Sequence, residues 1–177
     1  MDKKESRRVI MTKRLLKDAL IALLREKDIY HISIRELCET ADVNRTTFYK
    51  HYGSQFDVLA DLESEVISFI NKTATKNQAN IETTIIALCE YIENNLELAR
   101  LLINNNIDPE FPEKLLSLET IKENFLKENV GRLDEIELEY LYRFITYGAF
   151  QIICTWVNKE DRESPEKLAS IMKKITS

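Results

Sequence analysis

The sequence predicts an all-α protein: a head of three helices, two of them short and joined by a tight turn, connected by a long helix to a helical bundle. Three observations carry this. With only three Gly and three Pro in 177 residues, the chain has few of the residues that punctuate tight hairpins, which favours long helices with short connections. Apolar residues recur at helical spacing along most of the chain. Ser33 and Asn44 each stand just ahead of such a pattern, as helix N-caps do.

The first helix is expected over residues 11–26, because Leu16, Ala19, Leu20, Leu23 and Leu24 share one face while Lys13, Arg14, Lys17, Arg25 and Lys27 keep the rest polar. Ahead of it, Lys3, Lys4, Arg7 and Arg8 form a basic extension, either solvated or aimed at phosphates. The second helix has a complete start signal: Ser33 as N-cap, Glu36 three residues on to close a capping box, and Ile32 placed to staple onto Leu37. Its stripe of Ile34, Leu37, Cys38 and Ala41 ends at Asp42, which must take a left-handed or bridge conformation. A third helix is expected over 44–52, with Asn44 as N-cap and Val43 and Phe48 in staple geometry. Two short helices around so tight a turn form a helix-turn-helix spanning about residues 33–52. Ser54 can cap a fourth helix running to about Lys76, so the head is assigned residues 1–53 and the body 54–177.

Body helices are expected over 81–95, 96–106, 112–129, 136–158 and 165–175, with loops at Asn104-Asn105-Asn106 before Asp108-Pro109 and at Gly131 to Asp134. The 136–158 segment is apolar nearly all round, through Leu138, Leu141, Tyr142, Ile145, Ile152 and Trp156 together with Phe144, Tyr147 and Cys154. One side can then face a core and the other a partner. Gly148 and Ala149 would permit close helix approach, and the last helix can complete a four-helix interface between two chains. The expected interface residues are Tyr142, Ile145, Gly148, Ala149, Ile152 and Trp156.

Charge is unevenly distributed. Residues 1–53 hold twelve Lys and Arg against eight Asp and Glu, net +4, whereas the remainder holds thirteen against twenty-two, net −9. A basic head on an acidic body suits a polyanion reader, since phosphate binding needs a cationic face. Cys38, Cys89 and Cys154 are widely spaced and odd in number, which suits buried, reduced thiols. No secretory leader and no run of eighteen apolar residues is present, so a soluble cytoplasmic protein without membrane contact is expected.

The 44–52 segment has what a DNA-reading helix needs: one apolar anchor and an opposite face of polar side chains. Phe48 is the anchor, with Tyr52 four residues on, while Arg45, Thr46, Thr47, Tyr49, Lys50 and His51 present donors, a methyl group and aromatic edges. Each of these is usually just solvated on a surface helix; their joint position at the second helix of a helix-turn-helix is what points to a groove. His31 and His51 are not at a ligand spacing, so no metal is expected. No phosphate loop, dinucleotide turn or nucleophile paired with histidine is present, so neither a catalytic residue nor a cofactor is assigned.

Residues 8–59 resemble the DNA-binding region of the TetR family of regulators. The residues that carry this are Ser33-Ile34-Arg35-Glu36-Leu37-Cys38, Ala41-Asp42-Val43, Thr46-Thr47-Phe48-Tyr49-Lys50-His51-Tyr52-Gly53-Ser54 and Val58-Leu59. The resemblance implies a homodimer reading double-stranded DNA. Ser33, Arg35, Arg45, Thr46, Thr47, Tyr49, Lys50 and His51 would contact bases or phosphates, with Arg35 and Arg45 the first choices for base reading. Asp42 stands where the family usually has Gly, and Gln55 follows Ser54 where it usually has Lys. The second change removes a phosphate contact per head and makes the salt dependence slightly shallower.

The stretch from Tyr147 to Trp156, followed by Ser164-Pro165-Glu166-Lys167-Leu168, is similar to the branch of that family that includes dihydroxyacetone kinase regulators. Two recognition helices about 34 Å apart on a near-palindromic site would follow from two-fold symmetry. Many relatives hold a small effector in the body, for which Phe69, Tyr91, Tyr140, Phe144, Tyr147 and Gln151 are the candidate lining. The expected function is a transcriptional regulator, repressing until an effector releases it. The alternative is a helical co-regulator acting through protein contacts.

Overall fold

The computed structural model describes residues 7–76, 81–104, 107–129, 131 and 133–176, and every regular element among them is helical. Lys3, Lys4, Asn105 and Asn106 lie outside the described residues. The chain divides into two compact units, 1–66 and 67–177.

In the first unit, α1 (Arg7–Leu24) starts four residues ahead of the expected point, so Arg7 and Arg8 belong to its exposed first turn instead of preceding it. The five apolar residues read onto one face, Leu16, Ala19, Leu20, Leu23 and Leu24, are all buried. Lys17 departs from expectation: it is 7% exposed. A charge pattern on one helix does not reveal that carboxylates 44 and 48 residues further on will meet this lysine. After α1 comes a single 3-10 turn, Ile29–His31, capped by the Asp28 carboxylate, which accepts the Tyr30 N–H at 2.9 Å.

The second helix, α2 (Ile34–Thr40), opens at Ser33, whose Oγ accepts the Glu36 N–H at 3.2 Å. The Glu36 carboxylate takes the Lys27 ammonium at 2.5 Å, and this bond, aided by the Ser33 N–H, holds its carboxyl below the usual range. At the far end Asp42 has φ +51. The Val43 N–H bonds the Cys38 carbonyl at 3.0 Å and the Asp42 N–H the Glu39 carbonyl at 3.3 Å. That is a Schellman closure with Asp in the left-handed position.

Next, α3 (Arg45–Phe48) opens at Asn44, whose Oδ1 accepts the Thr46 N–H at 2.8 Å. Regular α-helix covers one turn and not the expected nine residues. Tyr49 has ψ −9, and the N–H groups of Lys50 and His51 then bond back three residues, to Thr47 and Phe48 at 3.2 and 2.9 Å, so the chain tightens into 3-10 turns before Tyr52. The long α4 (Gln55–Lys76) follows Ser54 as expected, although the N–H groups of Gly53 and Ser54 are both taken by the Asp57 carboxylate, at 2.7 and 3.1 Å.

The second unit contains α5 (Ile81–Asn94), α6 (Leu96–Asn104), α7 (Phe111–Leu116), α8 (Glu119–Glu128), α9 (Glu135–Asn158) and α10 (Pro165–Thr176). The expected single helix over 112–129 is broken at Ser117 and Leu118, where Leu118 turns extended at ψ 114. The Tyr142 hydroxyl of α9 donates to the Leu116 carbonyl at 2.8 Å. An end carbonyl of α7 is thus satisfied from another helix, with no strong breaker needed in the local sequence. Asp134 and Glu137 form a full capping box at the start of α9.

The core of this unit joins Ile85, Cys89 and Ile92 of α5 to Trp156 and Val157 of α9 and to Leu168, Ala169 and Met172 of α10. Burial pushes the Cys89 thiol up to about 12. Trp156 is 1% exposed, and its indole N–H donates to the Glu163 carbonyl at 2.8 Å. It is therefore a core residue and presents no face to a partner. Ala149 and Ile152 pack against the same core, while Tyr142 and Ile145 are half-buried and Gly148 is exposed.

Along the opposite side of α9 runs an exposed stripe: Ile136, Tyr140, Phe144, Tyr147, Gly148 and Gln151. Tyr140, Phe144, Tyr147 and Gln151, read as effector lining, thus lie on the outside of the helix. Phe69 and Tyr91 stack with ring centroids 4.0 Å apart, which leaves no room for a ligand between them.

Candidate nucleic-acid interface

The expected reading residues lie on α2, α3 and the turns that flank them, all in the first unit. Phe48 is fully buried and Tyr52 is 6% exposed, their rings 5.9 Å apart. This buried pair fixes the inner side of a segment too short to be stable alone, since an isolated helical turn does not offset its own ordering cost. Around it, Arg45, Thr46, Tyr49 and Lys50 are exposed, while Thr47 and His51 are half-buried. Tyr49 sets its ring edge-on to Phe48 at 5.4 Å while remaining 59% exposed. Burial of the anchor and exposure of the polar set are therefore two consequences of one helical period.

Burial raises the Cys38 thiol of α2, against a smaller opposing influence of the Arg45 guanidinium. Arg35 is exposed on α2 and donates through Nε to Glu39 Oε1 at 2.7 Å. Sequence reading missed this pairing, although the four-residue spacing from Arg35 to Glu39 was the signal for it. Ser33 is exposed. Its Oγ accepts the Glu36 N–H, and a hydroxyl oxygen so engaged still carries a proton to donate. The surface thus presents guanidinium, ammonium, hydroxyl and phenol donors, with the exposed carboxylates of Glu39 and Asp42 among them.

A capped helix, a closed turn, and a second short helix with a buried aromatic anchor and a polar exterior define a helix-turn-helix protein. Residues 79–177 match the TetR-type family described as a transcriptional regulator C-terminal region, and the chain belongs to that family of transcriptional regulators. It is also similar to the HTH-type transcriptional regulator YxbF of Bacillus subtilis, 21% identical over 170 residues, 92% of this chain; the chain spans 44% of that relative's length.

Among solved structures, a TetR transcriptional regulator from Streptococcus agalactiae aligns over 97% of this chain and 96% of its own, with TM-score 0.73 and 21% identity. The dihydroxyacetone kinase operon activator DhaS aligns over 94% of each chain, with TM-score 0.64 and 18% identity. These relatives are named as regulators, and the two structural likenesses establish the all-α fold. No helix among the described residues is long and apolar enough to cross a membrane.

Proposed function

We propose that this regulator reads double-stranded DNA with Arg35, Arg45, Thr46, Thr47, Tyr49, Lys50 and His51, with Ser33 on the backbone, and that it does so as a homodimer on a near-palindromic operator. The observation that carries the reading is the polar exterior of the 45–51 segment held over a fully buried Phe48. Arg35 and Arg45 supply bidentate donors suited to guanine, and the threonine methyls suit thymine. Tyr49 and Lys50 position the backbone. The head is residues 1–53 in this reading, and the body pairs two copies through the exposed stripe of α9 together with Ile171 and Ile175 of α10.

Occupancy of the operator would repress, and an effector in the body would release the protein by favouring a conformation that fits the site less well. DhaS is named an activator, so this fold also serves the opposite sign. The outward position of Tyr140, Phe144, Tyr147 and Gln151 and the closed Phe69–Tyr91 stack favour the second reading, a helical co-regulator that acts mainly through protein contacts without a small-molecule effector.

The test is binding to DNA upstream of the protein's own and neighbouring genes at several salt concentrations, with the Arg45→Ala, Tyr49→Ala double variant as control. Tight binding by the wild type and loss by the variant is the expected result; equal binding by both overturns the assignment. Adding candidate metabolites separates the two modes of control, because release by one of them supports an effector.

A further inference from the structure

Three carboxylates sit four residues apart along α4, at Asp57, Asp61 and Glu65, and so share one face of it. Between them they hold the Gly53-Ser54 turn, Tyr52 and Lys17. Asp57 takes the Gly53 and Ser54 N–H groups at 2.7 and 3.1 Å. Asp61 Oδ2 takes the Tyr52 hydroxyl at 2.6 Å and the Lys17 ammonium at 3.0 Å. Glu65 takes the same ammonium at 2.7 Å.

The middle contact differs from the others because it ends on the reading segment. Tyr52 closes that segment: its N–H bonds the Phe48 carbonyl at 2.9 Å, and its ring lies 5.9 Å from the Phe48 ring. With one regular turn from Arg45 to Phe48, the segment has too few internal hydrogen bonds to fix its own tilt. Phe48 pins one point, and a second is needed to set direction. The Tyr52 hydroxyl on Asp61 supplies it from the far end of the same segment. Lys17, 7% exposed between two carboxylates, keeps Asp61 charged and fixes α1 to the same joint. Ion pairs in such places serve to select one arrangement more than to add stability.

We infer that Asp61 is a positioning residue for DNA reading: through the Tyr52 hydroxyl it sets the tilt of the 45–51 segment, and Lys17 holds the carboxylate in place. This rests on the DNA-reading function proposed above. A tilted reading segment misplaces donors at base edges while leaving phosphates within reach, so loss of the joint lowers specific binding and spares non-specific binding.

The experiment first enriches, from a random duplex pool, the sequence that the wild-type protein prefers. It then measures affinity for that duplex and for a scrambled one, with the wild type and the Tyr52→Phe, Asp61→Leu, Asp61→Asn and Arg45→Ala variants. Tyr52→Phe keeps the buried ring and removes only the hydroxyl. It is expected to weaken the preferred duplex on the order of tenfold, with scrambled binding and the slope against salt nearly unchanged. The melting temperature should fall by only the few degrees that one hydrogen bond carries and stay well above the assay temperature. Asp61→Asn retains an acceptor for Tyr52 and is expected to keep more specificity than Asp61→Leu. If Tyr52→Phe discriminates like the wild type while Arg45→Ala does not, the positioning role is overturned and DNA reading stands. Loss of both duplexes in step with a lower melting temperature also overturns it, since the joint is then structural only. If the wild type enriches no sequence, DNA reading fails and the positioning role with it.

Discussion

Asp42 holds φ +51 so that the Val43 and Asp42 N–H groups can reach the last carbonyls of α2. A left-handed conformation costs an L-residue roughly 1–2 kcal/mol, less for Asp than for a branched side chain. Asp42→Gly is therefore expected to raise stability by about 0.5–1 kcal/mol in urea denaturation, and Asp42→Val to lower it by at least that much. Glu39 is a second residue with a definite cost. Its carboxylate lies 2.7 Å from Arg35 on the face expected to meet phosphates. Glu39→Gln should tighten DNA binding about threefold at low salt, by freeing the guanidinium and removing a like charge. Its effect on stability should stay within about 0.5 kcal/mol. An unchanged affinity would place Glu39 away from the DNA. Ser33, Asn44 and Asp42 were legible in the sequence because each acts on backbone two to four residues away. Lys17 was not, because its carboxylate partners are far along the chain.

At the scale of elements, the joint between α1 and α4 carries a pH signature. Burial opposes the charge on Asp61, but the Tyr52 hydroxyl, Lys17 and Lys13 outweigh it and hold the carboxyl below its ordinary range. A carboxyl with a lowered folded pKa stabilises fully above its unfolded value, about pH 4, and loses that contribution as pH falls through the folded value. Urea midpoints of wild type and Asp61→Asn should differ by a constant amount at neutral pH and converge progressively as the pH falls below the ordinary carboxyl value of about 4. A gap that persists in acid would mean that Asp61 acts through shape and not charge. The helices themselves were readable where one apolar face and one cap decide them: α5, α9 and α10 end within a residue or so of the expected positions. The break between α7 and α8 was not, because its carbonyl is satisfied by Tyr142 from another helix. Nor was the tightening after Phe48, which follows from the backbone angle at Tyr49.

For the molecule as a whole, the central question is what covers the outer side of α9. Gly148 lies in mid-helix, and a Cβ built there meets nothing within 4 Å. Within one protomer that glycine only costs, since Gly is about 1 kcal/mol worse than Ala in a helix interior. Beside it stand Phe144 at 79% exposure, Tyr140 at 71% and Ile136 at 68%, an apolar stripe of the kind that marks an interaction site. Both features make sense if a second copy packs closely against this face, because a helix backbone can approach nearest where a side chain is missing. Gly148→Leu separates the two cases. If the face stays in water, the substitution should raise the melting temperature through better helix propensity and leave the oligomeric state alone. If it is the dimer interface, sedimentation should show a shift toward monomer at micromolar concentration, with each protomer as helical as before. Operator affinity should then fall with dimer population, because one short reading segment contacts too few bases to bind specifically alone. Phe144→Glu should give the same monomer without touching the glycine. A dimer that survives both substitutions would remove this face from the interface.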